Sequence, residues 1–599
     1  MLHRFPRVRV RWFFIAVMTM ALVAVACGSE ATPAPAAAPT LDIAAIQAAV
    51  QGAIPEQMSA AEIQALVKAA TAEGASKEEI EALIAKAVEE AAQAAAAAAL
   101  SGVPTPVPVV RAAPVAGAAG QRYGGTMKIG VVDFGTMDPA LMGLSEGSSL
   151  YSELTYDKGT VLWYDGALTP WALESWTSND DSTQYTFKVR QGIMFHHGKE
   201  MKAEDVKFTY DRILDPATAS PLEAQLNFIS TITAVDDYTL VFDLDGPNVF
   251  LPGLLSIYHA MILPSDVDIG LITSREFGSG PFTLTEHNPA ERTVMDRNPN
   301  YWRAGVPYLD QVILFYMPEM TTRIEALKSG AIDVVLDTLT FSVLDDLDAH
   351  ANVTVQEAPT AGVRVLDFHT DRAPFDNKDL RKAFQYAVDR DFVRQATLFG
   401  RGSNANDHPV GINDEYYWAD QPIIKQDIPR AIEYLKAAGY PDGFDVVLTT
   451  TDVSQKLDMA LAFKESVAAA GIRVEINNTD PTPYWTEFWM NSCCPFVASS
   501  WGPRPANEGL NVMFGPKAAW NESYFANARM DELLSLADAE ADYETRKEYF
   551  RQVQEILIEE VPVLFLMHNP KIVAHRNNVR GIEVNPNLAT YLIQEWWLE

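Results

Sequence analysis

The stretch from Asp427 to Ile476 reads DIPRAIEYLKAAGYPDGFDVVLTTTDVSQKLDMALAFKESVAAAGIRVEI. Aspartate is a favoured helix N-cap because its side chain accepts a hydrogen bond from the free amides of the first turn. Asp427 therefore opens a helix that runs through Ala438 and stops at Gly439, since glycine readily takes the left-handed conformation that ends helices. A β-rich run, Phe444 to Thr450, follows. The unit then repeats: a helix from Lys456 to Ala470 stops at Gly471, before the strand Ile472 to Ile476. Repeated helix, glycine and strand units imply an α/β architecture.

The same grammar extends toward the N-terminus. Thr322 to Ser329 is a helix that ends at Gly330, before Ile332-Asp333-Val334-Val335. Tyr185 to Arg190 and Tyr238 to Leu244 are β-rich, and Phe282 to Thr285 with Arg292 to Asp296 read as a strand pair. These patterns begin at Tyr123, where aromatics, Asp, Asn and Gly rise and an alanine bias falls away. The folded unit is expected to start there.

Upstream the chain is of another kind. Arg4, Arg7, Arg9 and Arg11 precede an uncharged apolar run, Phe13 to Ala26, that ends in small residues before Cys27. This is the layout of a secretory signal peptide, residues 1–26. The run falls short of the roughly 18 to 20 apolar residues of a spanning helix. Ala24-Val25-Ala26-Cys27-Gly28-Ser29 resembles a bacterial lipobox, with Ala24 where the pattern prefers Leu, so Cys27 is the expected lipidation site. Residues 27–122 then form an Ala/Pro-rich linker with short helices. Ser59-Ala60-Ala61-Glu62 and Ser76-Lys77-Glu78-Glu79 fit the capping-box pattern ahead of apolar residues at helical spacing. Pro104, Pro106 and Pro108 break the alanine-rich stretch that follows.

Composition excludes some functions. The 599 residues are 48% hydrophobic and 21% charged, an ordinary globular balance with room for more than one core. The net charge of -33 argues against nucleic-acid binding, which needs clustered Lys and Arg. Besides Cys27 the chain has only the adjacent pair Cys493 and Cys494, read either as a vicinal disulfide or as two free thiols. Neither has the spaced partners of a zinc site.

Seven motifs in order along Tyr123 to Glu599 resemble the family-five extracellular solute-binding proteins, which include the oligopeptide, dipeptide and nickel-binding components of bacterial ABC importers. They are Gly124-Gly125-Thr126 with Met137-Asp138-Pro139-Ala140, Ala172 to Trp176, Phe187 to Gly198, Ala203-Glu204-Asp205-Val206-Lys207-Phe208-Thr209, Gly278-Ser279-Gly280-Pro281-Phe282, Asn298-Pro299-Asn300-Tyr301-Trp302, and Pro374-Phe375-Asp376 through Arg381-Lys382-Ala383. The resemblance implies a two-lobed, periplasmic-binding-protein-like α/β fold, of type II and the large peptide-binding subclass. In it, ligand is enclosed as the lobes close about a hinge. Lobe one would take about 123–360 plus 561–599, and lobe two about 361–560. Some of the motifs have plain structural readings. Gly192 and Gly198 bracket a short strand as turn residues, Glu204 and Asp205 suit a helix N-terminus, and Gly280-Pro281 turns the chain into Phe282.

Many members of that family carry a tryptophan after a strand, followed by an Asp that meets a peptide's amino group. Here the stretch is Ser499-Ser500-Trp501-Gly502-Pro503-Arg504-Pro505-Ala506-Asn507-Glu508. Trp501 matches, while Arg504 and Asn507 stand where the acid is often found. Trp501 is expected as an apolar pocket wall. Arg504 offers bidentate recognition of an anionic group, or else pairs with Glu508 or a surface acid. Arg364 and His369 are further ligand-binding candidates, each equally readable as a satisfied residue near the hinge. His196, His197, Glu200 and Glu204 do not have the spacing of a helical zinc motif, so neither a metal nor a cofactor is expected.

The leading functional reading is therefore the extracytoplasmic substrate-binding component of an ABC importer. It would be a monomer, lipid-anchored in the membrane and without enzymatic activity, delivering a peptide or similar small polar solute to permease subunits. A secreted carboxylate-dependent hydrolase is the alternative, against which stands the lack of an HExxH helix. A surface sensing or interaction lipoprotein is a third reading, suggested by the helical segment before residue 123.

Overall fold

The computed structural model describes residues 123–599 except 144, 164–166, 273–274, 337–338, 517, 519 and 587–590. The expected signal peptide, Cys27 and the 27–122 linker lie outside the described residues.

The Asp427 to Ile476 stretch folds as its punctuation predicts. The Asp427 carboxylate accepts from the Arg430 amide at 3.0 Å and caps helix Ile428–Ala437. Gly439 follows at φ 96°. Helix Lys456–Val467 tightens into a single 3-10 turn, Ala468–Ala470, and Gly471 takes φ 85°. Strands Phe444–Thr451 and Ile472–Thr479 pair in parallel from Phe444 opposite Ile472. Gly443 (φ 94°) enters this pair so closely that a β-carbon would stand 2.3 Å from the Gly471 carbonyl oxygen. Only glycine fits there.

These strands belong to an 11-stranded sheet whose centre is formed by two long antiparallel strands, Val353–Phe368 and Val563–Arg576. Their pairing runs from Val353 opposite Arg576 to Pro359 opposite Pro570, breaks, and resumes at Val363 opposite His568. On one side of the break the sheet continues through Val334–Val335, Thr126–Val131, Gln311–Tyr316, Arg292–Arg297 and Phe282–Asn288. On the other it continues through Phe496–Trp501, Phe444–Thr451 and Ile472–Thr479. The two halves are the two lobes. The chain crosses between them on these strands, whose ladder is interrupted between Pro359 and Val363.

A separate four-stranded antiparallel sheet, Leu173–Ser178, Gln184–Val189, Thr239–Leu244 and Ile229–Asp236, carries its own core. Tyr185, Phe187 and Val189 alternate inward from one strand, Leu240, Phe242 and Leu244 from its neighbour, against Val206, Tyr210 and Ile213 of helix Ala203–Leu214. The β-rich runs Tyr185 to Arg190 and Tyr238 to Leu244 thus form strands, but in a body beside the main sheet rather than an extension of it.

Most of the motifs explain themselves as joints of this fold. Buried Asp157 accepts from Trp171 Nε1 at 2.8 Å, Ser279 Oγ at 2.8 Å, Tyr301 Oη at 3.2 Å and Trp302 Nε1 at 3.2 Å. One carboxylate thereby ties the Gly278–Phe282 and Asn298–Trp302 motifs together. Gly278 and Gly280 let that segment lie on the backbone of Thr155 and Tyr156; a β-carbon on Gly278 would sit 1.6 Å from the Thr155 carbonyl oxygen. Asp205, buried at the third position of its helix, accepts from the amides of Lys202 at 2.8 Å and Ser265 at 2.7 Å. Arg381 donates to the carbonyls of Phe375 and Glu560, so its motif clamps the end of helix Tyr543–Glu560.

His196 turns to Glu276 and to the Gly280 carbonyl, whereas His197 faces Asp266 at 3.4 Å. No three His, Cys, Asp or Glu side chains converge as a metal site among the described residues. Nor is any described helix long and apolar enough to cross a membrane.

Candidate functional site

A cavity of about 280 Å³ opens between the lobes. Leu162, Leu168, Trp176, Phe250, Pro252 and Ile257 make its apolar wall on lobe one. Lobe two presents Asp414, Glu415, Tyr416, Asn507, Glu508 and Arg546, with Pro503 and Pro505. The lobes touch beside it. The Val249 amide donates to the Asp538 carbonyl at 2.8 Å, and the Phe250 ring meets Tyr416 and Phe550 edge-on at 6.2 and 6.1 Å.

The lobe-two wall is set by its local hydrogen bonds. Helix Ala506–Phe514 begins after Pro505, which has no side chain to cap it, so Asp414 serves from a distant loop. Its carboxylate accepts from the Ala506 amide at 2.8 Å and from the Tyr416 amide at 2.9 Å. Burial nevertheless pushes the Asp414 carboxyl up to about 6. Glu415 beside it is pushed up to about 7, chiefly by burial and then by the Asp414 charge. Among the described residues its Oε2 has no hydrogen-bond partner, and the nearby Arg546 charge only partly offsets the rise. Burial raises Glu508 as well, against the opposing charge of Arg504. Arg546 is largely committed: Nε donates to Tyr416 Oη at 2.7 Å, one terminal nitrogen donates to the Glu540 carbonyl at 2.6 Å, and the guanidinium packs on Phe250 and Tyr416.

Of the residues singled out in the sequence, Asn507 lines this cavity. Trp501 and Arg504 line a narrow recess of about 10 Å³ under the same loop, with Ala361, Val363 and Pro409. Arg504 Nε lies 3.1 Å from Glu508 Oε1, and the guanidinium stacks 5.2 Å above Trp501. Pairing with Glu508, one of its two anticipated roles, is the contact it makes. Arg364 is buried in lobe two, donating to Gln455 Oε1 at 2.8 Å, and burial pushes it down to about 10. His369 is fully buried, edge-on to Tyr524 at 4.8 Å and pushed down to about 4 by burial. Neither lines either cavity.

Sequence reasoning missed Asp414, Glu415 and Arg546, and also Trp176 and Phe250 as a wall. The only available signal was the acid-aromatic run Asp414-Glu415-Tyr416-Tyr417, which resembles any polar loop until the fold brings residues 250, 415, 507 and 546 together.

The family described as bacterial extracellular solute-binding proteins, family 5 (middle), matches residues 167–521. The chain is 28% identical to heme-binding protein A of Haemophilus influenzae over 462 residues, covering 70% of this chain and 82% of that protein. It is 26% identical to the glutathione-binding protein GsiB of Shigella flexneri over 432 residues, covering 69% and 83%. The ABC transporter-associated periplasmic binding protein DppA from Helicobacter pylori, solved in complex with peptide STSA, superimposes with a TM-score of 0.69 at 25% identity, covering 80% of this chain and 99% of that one.

The fold is thus a two-lobed type II binding-protein fold of the peptide-binding subclass, built to enclose a solute. The chain belongs to the bacterial extracellular solute-binding proteins of family 5, and it is the extracytoplasmic solute-binding component of an ABC importer. This is the function that the resemblance implied.

Proposed function

We propose that the solute is a small peptide or similar polar molecule whose cationic group meets Glu415, Asp414 and Glu508 while its apolar flank lies on Trp176, Phe250 and Leu168. The observation that carries this reading is the cavity between the lobes, apolar on one wall and carboxyl-rich on the other, with Glu415 Oε2 unpartnered inside it. A buried carboxylate without a partner is costly, and a ligand ammonium or guanidinium supplies that partner. A solute touching both walls favours the closed arrangement of the lobes.

Asn507 hydrogen-bonds the solute's polar backbone in this reading. Arg504 holds Glu508 in place and, with Trp501, stiffens the loop 502–508, while Arg364 and His369 support the lobe-two sheet beneath. Among the relatives, the names record heme, glutathione and the peptide STSA as ligands. Peptides and glutathione carry ammonium groups, which fits the acidic wall. The lobes are taken as about 123–360 with 561–599, and about 361–560. The protein acts as a monomer held on the extracytoplasmic face of the cell membrane by lipid on Cys27. It hands its solute to permease subunits and performs no turnover of its own.

The test is a calorimetric panel of free-amino dipeptides and tripeptides beside their N-acetylated forms, with product analysis on the same mixtures. Binding confined to the free-amino forms, with no product, is expected. Equal binding of the acetylated forms would overturn the cationic assignment, and product formation would overturn the reading as a binder alone.

A further inference from the structure

Cys493 and Cys494 lie in the loop between the turn Tyr484–Phe488 and strand Phe496–Trp501. Cys493 is exposed, Cys494 is half-buried, and their sulfurs are in contact across a single peptide bond. The loop around them is anchored. Trp489 Nε1 donates to Glu522 Oε1 at 2.7 Å, and Tyr524 Oη donates to the Met490 carbonyl at 2.6 Å. Glu522 also accepts from Ser499 Oγ at 3.1 Å, on the strand that ends at Trp501. Trp501 in turn carries Arg504, in the loop that walls the ligand cavity. Hydrogen bonds through Trp489, Glu522 and Ser499 thus connect the cysteine loop to the strand that runs into residues 502–508.

Adjacency decides what a bond between these sulfurs is good for. Neighbouring α-carbons are about 3.8 Å apart across a trans peptide, whereas a relaxed disulfide wants about 4.4–6.8 Å. A bridge here closes a strained ring. It also encloses no chain, so it removes almost no entropy from the unfolded state and is no staple. A strained, exposed disulfide is easily reduced, which is the property of exchanging rather than structural bridges.

We propose that Cys493 and Cys494 form a reversible dithiol–disulfide couple that reshapes the lobe-two wall of the ligand cavity. The exposed Cys493 thiolate attacks one sulfur of a small disulfide RSSR, breaking that bond and releasing RS⁻. Cys494 then loses its proton to solvent and attacks the Cys493 sulfur of the mixed disulfide, releasing the second RS⁻. The protein pair gives up two electrons, and RSSR is reduced to two thiols once they take up protons. A dithiol reductant runs the steps backward. Closure of the bridge does not depend on the identity of the solute; its effect on the wall rests on the reading of the cavity given above.

The test uses the full mature chain, reduced and then treated with glutathione disulfide, with the Cys493→Ser/Cys494→Ser double variant beside it. Intact mass and peptide mapping should locate one internal bond at residues 493–494, reversed by dithiothreitol. Tryptophan fluorescence and amide exchange of residues 501–508 should change between the two states, the exchange by at least about threefold, and the double variant should not respond. Two separately glutathionylated thiols with no internal bond would overturn the couple. An internal bond that leaves residues 501–508 and the fluorescence as in the double variant would overturn its coupling to the wall. Because both readouts are taken without solute, a failure of the cationic-ligand reading leaves them unaffected.

Discussion

Replacing Glu415 with Gln should alter both the pH dependence of stability and the recognition of a cationic solute. Burial and the Asp414 charge push the Glu415 carboxyl from 4.5 to about 7 in the folded protein. Each pH unit of such a rise is worth about 1.4 kcal/mol, so ionising Glu415 in the ligand-free cavity costs on the order of 3 kcal/mol. The folded value lies above the unfolded one, so the folded state binds this proton more tightly. The contribution is fully favourable below about pH 4.5 and is lost as the pH rises through about 7. Urea unfolding of wild type and Glu415→Gln at pH 4.5, 6, 7 and 8 isolates the term. The stability of wild type relative to the variant should fall by roughly 2–3 kcal/mol between the lowest and highest pH.

The same proton governs ligand binding. At pH 5.5 a bound cation must expel it, which costs about 2 kcal/mol, so affinity should be roughly 30-fold weaker than at pH 8. Calorimetry at pH 6 in two buffers of different ionisation enthalpy should register protons released on binding. The Glu415→Gln variant should bind weakly and lack most of this pH dependence. A wild-type-minus-variant difference that stays flat within about 0.5 kcal/mol over the pH range would refute the buried-carboxylate argument. An unchanged affinity in the variant would remove Glu415 from the site.

Asp157→Asn leaves at most one acceptor oxygen for four donors, Trp171, Ser279, Tyr301 and Trp302, so a loss of about 2–5 kcal/mol in denaturant unfolding is expected; a loss under about 1 kcal/mol would show that the hub is not needed. Cys27→Ser should move the protein from the detergent phase to the aqueous phase in partitioning, because the lipid is its only durable anchor in this reading; unchanged partitioning would contradict lipidation. A chain beginning at Gln121 should melt and bind as the mature protein does, since the motif-bearing unit begins after the last proline-rich segment; a clear drop in melting temperature or affinity would mean that residues 27–120 pack on the lobes.

The punctuation of the fold was legible in the chain itself. Asp427 marks a helix start because its side chain caps the first turn, Gly439 and Gly471 mark helix ends because glycine takes the left-handed conformation at little cost, and with the β-rich runs that follow they give the α/β class. The motifs around Gly278, Tyr301 and Arg381 were legible as a pattern, but their reason was not. That Ser279, Tyr301 and Trp302 serve one buried carboxylate is a fact about Asp157, far away in sequence. The two lobes followed from the resemblance. The separate four-stranded sheet did not, because period-two alternation tells a strand which face is buried and not which sheet it joins.

The candidate site depended most on tertiary structure. The local sequence around Arg504 left open an anion contact or a pair with Glu508, since an i, i+4 spacing permits the pair without requiring it; only the folded loop, with Trp501 beneath the guanidinium, shows the pair made. Asp414 and Glu415 look like solvated loop acids in sequence. They become site residues because lobe one lays Phe250 and Trp176 across from them, and excluding water from that space is what raises their proton affinity. Sequence determined the class of protein and its local geometry, which depend on neighbours along the chain. Tertiary structure decided the character of the cavity, because desolvation and charge pairing depend on neighbours in space.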